Sequence, residues 1–177
     1  GTAFDDMMNG QRKMIDLSQP AFMALIDTAL AYKPSLLLIP GDLTKDSEME
    51  SHNVVLQQLK RLNEAGIKTL VMPGNHDING AAYAYKGAQK ISVPKMTDSE
   101  WDAFYAPIHT SITAQDNLSH SYVAEPLPGL TILSIDGSHG SAGTGSLSDA
   151  TLAWLLAQAD SANQKGNTII AMCHWQL

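Results

Sequence analysis

Two segments of the chain end in the same way. Ile39-Pro40-Gly41-Asp42 closes the apolar run Ser35 to Ile39, and Met72-Pro73-Gly74-Asn75 closes the run Ile67 to Met72. Each run has strand length and stops at a Pro-Gly turn signal, so both read as buried strands. Between them Ser47-Glu48-Met49-Glu50 offers a capping box, with Ser47 as N-cap and Glu50 at N3. Val55, Leu56, Leu59 and Leu62 follow at helical spacing, and Gly66 stands where a helix normally stops. A strand, a helix and a strand joined this way form a parallel pair with a right-handed crossover. Both Pro-Gly turns must then emerge at one edge of the sheet, which is where open α/β sheets keep their chemistry.

The residues at that edge are reactive ones. The first turn presents Asp42, and the second presents Asn75 and runs on into His76-Asp77. A third apolar run, Thr168 to Cys173, ends in His174. Gly-Asp by itself is ordinary turn chemistry. It gains meaning beside Gly-Asn-His-Asp.

Taken in order, Gly41-Asp42 and Gly74-Asn75-His76-Asp77 resemble the second and third signature blocks of the calcineurin-like metallophosphoesterases, and His174 resembles the single-histidine block that follows. The resemblance runs from about Ser35 to His174. Two blocks of that family have no counterpart: no Asp-x-His precedes Asp42, and no Gly-His-x-His follows His174. Residues 1–177 therefore read as one partial domain, incomplete at both ends. The resemblance implies an α/β fold of two packed mixed β-sheets flanked by helices, a four-layer α/β/β/α sandwich. It also implies a metal-dependent phosphoesterase that hydrolyses a phosphate mono- or diester, its nucleophile a hydroxide generated by two metal ions.

Carried over residue by residue, the resemblance makes Asp42 the ligand that bridges both ions and Asn75 and His174 ligands of one of them. The other ion keeps only Asp42, so this segment alone is expected to bind metal poorly and to be inactive. Oxygen donors mixed with imidazole suit Mn, Fe or Zn better than Ca or Mg. His76 takes the role of proton donor to the leaving alkoxide, an imidazole having a reference pKa of about 6.5. Asp77 is expected to orient that imidazole. The opposing reading is a non-catalytic protein-binding module on the same fold that has lost metal ligands. The joint presence of Asp42, Asn75, His76, Asp77 and His174 argues against it. A doubly wound nucleotide-binding domain lacks support, since the chain has neither Gly-x-Gly-x-x-Gly nor a P-loop.

Other histidines read differently. His52 falls in the crossover helix, and His109 and His120 fall in a polar stretch, so all three are expected at the surface. His139 lies in the Gly-rich segment Gly137 to Gly145 and reads as a loop residue. The segment 78–96, with Tyr83, Tyr85, Lys86 and Lys90, is long for a connection beside catalytic groups and reads either as a lid or specificity element or as a solvated excursion.

The remainder supplies flanking elements. Pro20 to Tyr32 reads as a helix ending before Lys33-Pro34. Thr97-Asp98-Ser99-Glu100 is a second capping box ahead of Trp101, Phe104 and Tyr105. Ser119 to Ala124 and Leu130 to Ile135 read as an antiparallel pair turned at Pro126 to Gly129, and Ser148 to Asn163 as an amphipathic helix. A formal charge of −7 with eleven basic residues disfavours a long nucleic-acid footprint and leaves a small phosphate ester or nucleotide as the expected substrate. No apolar run is long enough to span a membrane. Charged residues are 16% of the chain, below the roughly 25% usual for soluble domains. That composition leans towards an exported or periplasmic protein. Cys173 is the single cysteine and reads as a packing residue.

Overall fold

In the computed structural model, which describes residues 2–11, 14–138 and 145–175, the elements follow in the order α1 (Ala3–Asn9), α2 (Ile15–Tyr32), β1 (Leu36–Ile39), α3 (Met49–Glu64), β2 (Lys68–Val71), β3 (Tyr83–Lys86), β4 (Gln89–Ser92), α4 (Asp98–Tyr105), β5 (Ile112–Gln115), β6 (Tyr122–Leu127), β7 (Leu130–Ile135), α5 (Asp149–Gln164) and β8 (Thr168–Cys173). β1 and β2 pair in parallel, with Leu36 opposite Lys68 and Ile39 opposite Val71. β5, β6, β7 and β8 form a second sheet, antiparallel up to β7 and parallel between β7 and β8. β3 and β4 make a separate antiparallel hairpin.

Alternation along β2 explains the layering, because successive side chains of a strand face opposite ways. Val71, with the preceding Ile67, packs into a core with Ile26 and Ala29 of α2 and Val55, Leu59 and Leu62 of α3. Leu70 and Met72 face the other way and meet Tyr122, Ala124, Ile132 and Met172 of the second sheet. α5 covers β7 and β8 from outside. The result is a mixed α/β body in which sheets pack together between helices, as the signature blocks imply.

Several local expectations need correcting. Ser47 does not cap α3: Glu48 is the N-cap and makes no side-chain capping bond, while Ser47 adopts a left-handed backbone with φ 69°. Its hydroxyl instead donates to His76 O at 3.0 Å and accepts from Gly80 N–H at 2.7 Å. A missing cap costs about 1 kcal/mol, whereas burying Leu59 and Leu62 completely contributes roughly 1.5–3 kcal/mol each. Packing therefore holds α3 without the cap. α2 starts at Ile15, so Pro20 sits inside the helix rather than at its head. β1 is only half-buried, and β8 is exposed as far as Ala171, so neither is the buried strand its composition suggested. β5 and α1 have no counterpart in the sequence reading. The capping boxes fare better at Thr97, where Glu100 accepts the Thr97 N–H at 3.0 Å. Ser148 caps α5 by accepting from Thr151 N–H at 3.0 Å. His139 lies outside the described residues.

The three histidines expected at the surface are packed. His52 is fully buried, its Nε2 bonded to Asp77 O at 2.9 Å and its Nδ1 to Tyr105 Oη at 2.7 Å. A carbonyl only accepts, so Nε2 carries the proton and Nδ1 accepts from the phenol. His109 accepts Val71 N–H on Nε2 at 3.2 Å. Burial lowers both imidazoles to a pKa of about 4. His120 is buried between Asp98 and Asp102, at 3.2 and 3.1 Å. Burial pushes its pKa down, but Asp102, Asp136 and Asp98 together outweigh that and raise it.

These shifts set a pH dependence of stability. His52 and His109 have folded pKa values below the unfolded value of about 6.5, so the unfolded chain takes up protons that the folded chain refuses. Stability is then lost as pH falls from about 6.5 to 4, on the order of 1–3 kcal/mol for each group. His120 has the opposite sign: its contribution is complete below about pH 6.5 and fades as pH rises through its raised value. Urea unfolding is expected to show a lower midpoint at pH 4.5 than at pH 7, and His109→Gln, which keeps an acceptor for Val71, is expected to flatten that fall. An equal slope in the variant would contradict the assignment.

Candidate metal and catalytic site

Sequence chemistry at the two strand ends dictates how close they come. Gly41 has φ 85° and Asp42 follows at φ 55°, a left-handed pair that turns the chain sharply after β1. A glycine suits such a backbone, and aspartate is one of the few other residues that tolerates it. The two turns then lie back to back. A Cβ on Gly41 would fall 2.6 Å from Gly74 Cα and 2.8 Å from Pro73 C, and one on Gly74 would collide with the backbone and carboxylate of Asp42 and lie 3.0 Å from His174 Cε1. Glycine at both positions is what allows Asp42, Asn75 and His174 to meet.

Their donor atoms converge. His174 Nδ1 donates to Pro40 O at 2.9 Å, which directs Nε2 to Asn75 Oδ1 at 3.1 Å and Asp42 Oδ1 at 3.4 Å. Asp42 Oδ1 also accepts the His76 N–H at 3.2 Å. An imidazole whose Nδ1 is held by a backbone carbonyl is the arrangement used by histidines that ligate metal. With that tautomer, the Nε2 lone pair faces two oxygen lone pairs, a repulsive set that a cation would turn favourable. The three side chains thus fit one metal ion as a carboxylate, an amide oxygen and an imidazole. Among the described residues no group of three or more His, Cys, Asp and Glu is placed to hold a metal, and the Asn75 amide makes the third donor here.

His76 and Asp77 take different positions despite adjacency. His76 Nδ1 lies 3.3 Å from Asp46 Oδ1, and the other Asp46 oxygen pairs with Lys45. Asp77 was expected beside the imidazole, but it is fully buried and turned inward. One of its oxygens accepts Thr44 N–H at 2.9 Å and the Thr44 hydroxyl at 3.1 Å, and the other accepts Gly74 N–H at 2.8 Å. Burial raises its pKa, and the Gly74, Leu43 and Thr44 amides oppose that shift. Asp77 therefore ties the two turns together, and Asp46 is the carboxylate that holds His76. Sequence reading missed Asp46, although its place four residues after Asp42, in the same turn, was visible. It also missed His52, which supports the site from beneath through Asp77 O.

A family model for calcineurin-like phosphoesterases matches residues 17–177. The chain belongs to that family. Its members are hydrolases of phosphate esters that bind dinuclear metal centres. No curated protein matches the chain. No helix among the described residues is long and apolar enough to cross a membrane.

Proposed function

We propose that this protein is a metal-dependent phosphoesterase acting on a small phosphate mono- or diester or a nucleotide, with Asp42, Asn75 and His174 as metal ligands and His76 as proton donor. The convergence of Asp42 Oδ1, Asn75 Oδ1 and His174 Nε2 beside the His76–Asp46 pair supports this reading. When bound, two ions of Mn, Fe or Zn would polarise the phosphoryl oxygens and lower the pKa of the attacking water. Asp42, Asn75 and His174 are the residues that would hold metal there. The protein's own groups do the rest. His76 gives a proton to the leaving oxygen as the phosphorus–oxygen bond breaks, and water supplies the new oxygen on phosphorus, so the products are the free alcohol and the phosphate. Asp46, accepting from Nδ1, keeps the imidazole turned so that Nε2 is the nitrogen that transfers the proton. Asp77 and Ser47 hold the turns on which these groups sit.

The reading is tested with the full-length protein, added Mn²⁺, and p-nitrophenyl phosphate beside bis(p-nitrophenyl) phosphate. Turnover that chelation abolishes supports it, and the preferred ester assigns monoesterase or diesterase activity. Metal-loaded protein that cleaves neither overturns it. Asp46→Asn is expected to lower kcat about 10-fold or more with little change in KM or metal content, since a carboxylate that orients an imidazole acts on the chemical step. Asp77→Asn is expected to act mainly on folding, lowering stability by about 1–3 kcal/mol by leaving a buried N–H unmatched. The two variants exchanging these effects would contradict the roles assigned.

A further inference from the structure

Beside His76 lies a pocket of about 620 Å³. Its lining shares His76 and Asp46 with the site, while Asp42, Asn75 and His174 are not part of it. The space is therefore on the proton-donor side, where the leaving group would sit. Its volume falls within the range of about 300–1,000 Å³ typical of small-molecule sites. A leaving group of one or two carbons would leave most of it empty.

Two elements outside the catalytic turns build its far walls. α1 supplies Asp6 and Met7, and the β3–β4 hairpin supplies Tyr85 and Lys90. They hold each other, Ala3 N–H donating to Gly87 O at 2.8 Å and the Phe4 and Tyr85 rings meeting edge to face at 6.0 Å. The charges are distributed unequally. Lys45 is paired with Asp46, which also holds His76. Lys90 instead rests on the Tyr83 ring, its Nζ 3.9 Å from the centroid, with no carboxylate partner among the described residues. A ring face attracts an ammonium group but leaves its charge uncancelled. Asp6, on the other wall, adds an acceptor for a hydroxyl or amine.

We propose that this pocket is a leaving-group subsite that selects phosphate esters whose alcohol portion carries a second anionic group, a carboxylate or another phosphate, met by Lys90. The proposal rests on the phosphoesterase reading. It makes segment 78–96 a specificity element through one residue on a pinned hairpin.

The test compares kcat/KM for three esters on metal-loaded full-length protein: p-nitrophenyl phosphate, 3-phosphoglycerate with a carboxylate in its leaving group, and adenosine 3′,5′-bisphosphate with a phosphate there. Lys90→Gln, which keeps the stem and removes the charge, is expected to cut the preference for an anion-bearing ester over p-nitrophenyl phosphate about 1.5- to 5-fold, the range for a partly solvated charge pair. The effect should lie in KM, and Lys90→Arg should restore it. Whichever anionic ester shows the larger loss identifies the anion. An unchanged preference in Lys90→Gln while p-nitrophenyl phosphate is still cleaved overturns this inference alone. Failure of the unsubstituted protein to cleave any of the three overturns the phosphoesterase reading and this subsite with it.

Discussion

His76→Ala is expected to reduce kcat about 100- to 10,000-fold, the usual contribution of a positioned acid, while the protein still takes up metal. The side chain of His76 pairs with Asp46 and lines the pocket, and its backbone N–H donates to Asp42 Oδ1 at 3.2 Å. Alanine keeps that N–H. Asp42→Ala is the opposite case, because it removes the oxygen that meets both the His76 N–H and, at 3.4 Å, His174 Nε2. Metal should be lost along with turnover. Elemental analysis of the two purified variants beside their rates separates the roles, and equal metal loss in both would contradict them.

The second large effect is expected at a residue with no side chain. Gly74→Ala should destabilise the protein by about 3 kcal/mol or more, a size reached when a substitution forces packed backbone apart. The new Cβ would overlap Asp42 and press to 3.0 Å from His174 Cε1. The turns would have to separate, and Asp77, which bonds Thr44 on one and Gly74 on the other, would lose that link. Urea unfolding should show the lower midpoint. Gly66→Ala is a useful comparison, since a Cβ there meets nothing within 4 Å and only the left-handed φ of 84° resists it. Equal losses at both positions would mean that the close approach of the turns matters less than backbone strain.

What the sequence revealed about this fold follows from the range of the interactions concerned. The βαβ unit was legible because strand length, helical spacing and Pro-Gly turns are local, and a parallel crossover leaves one way to bring Asp42 and Asn75 to the same edge. Thr97 was legible as a cap for the same reason. Ser47 was not, because its hydroxyl is drawn to His76 O and Gly80 N–H, contacts made only after the chain has folded back. Long-range partners likewise decided His52 and His120, polar residues that became buried because Asp77 O and Tyr105 receive one and Asp98 and Asp102 the other. Adjacency suggested Asp77 as the partner of His76. Strand-end geometry turned Asp77 inward and brought Asp46 to the imidazole from the preceding turn.

Metal binding by Asp42, Asn75 and His174 is what the proposed activity depends on most. The most direct measurement is a Mn²⁺ titration of the full-length protein and its His174→Ala variant, followed by the electron paramagnetic resonance signal of free manganese. The expected result is tight uptake by the unsubstituted protein and at least one fewer ion per chain, or clearly weaker uptake, in the variant. Identical uptake in both would contradict the central claim.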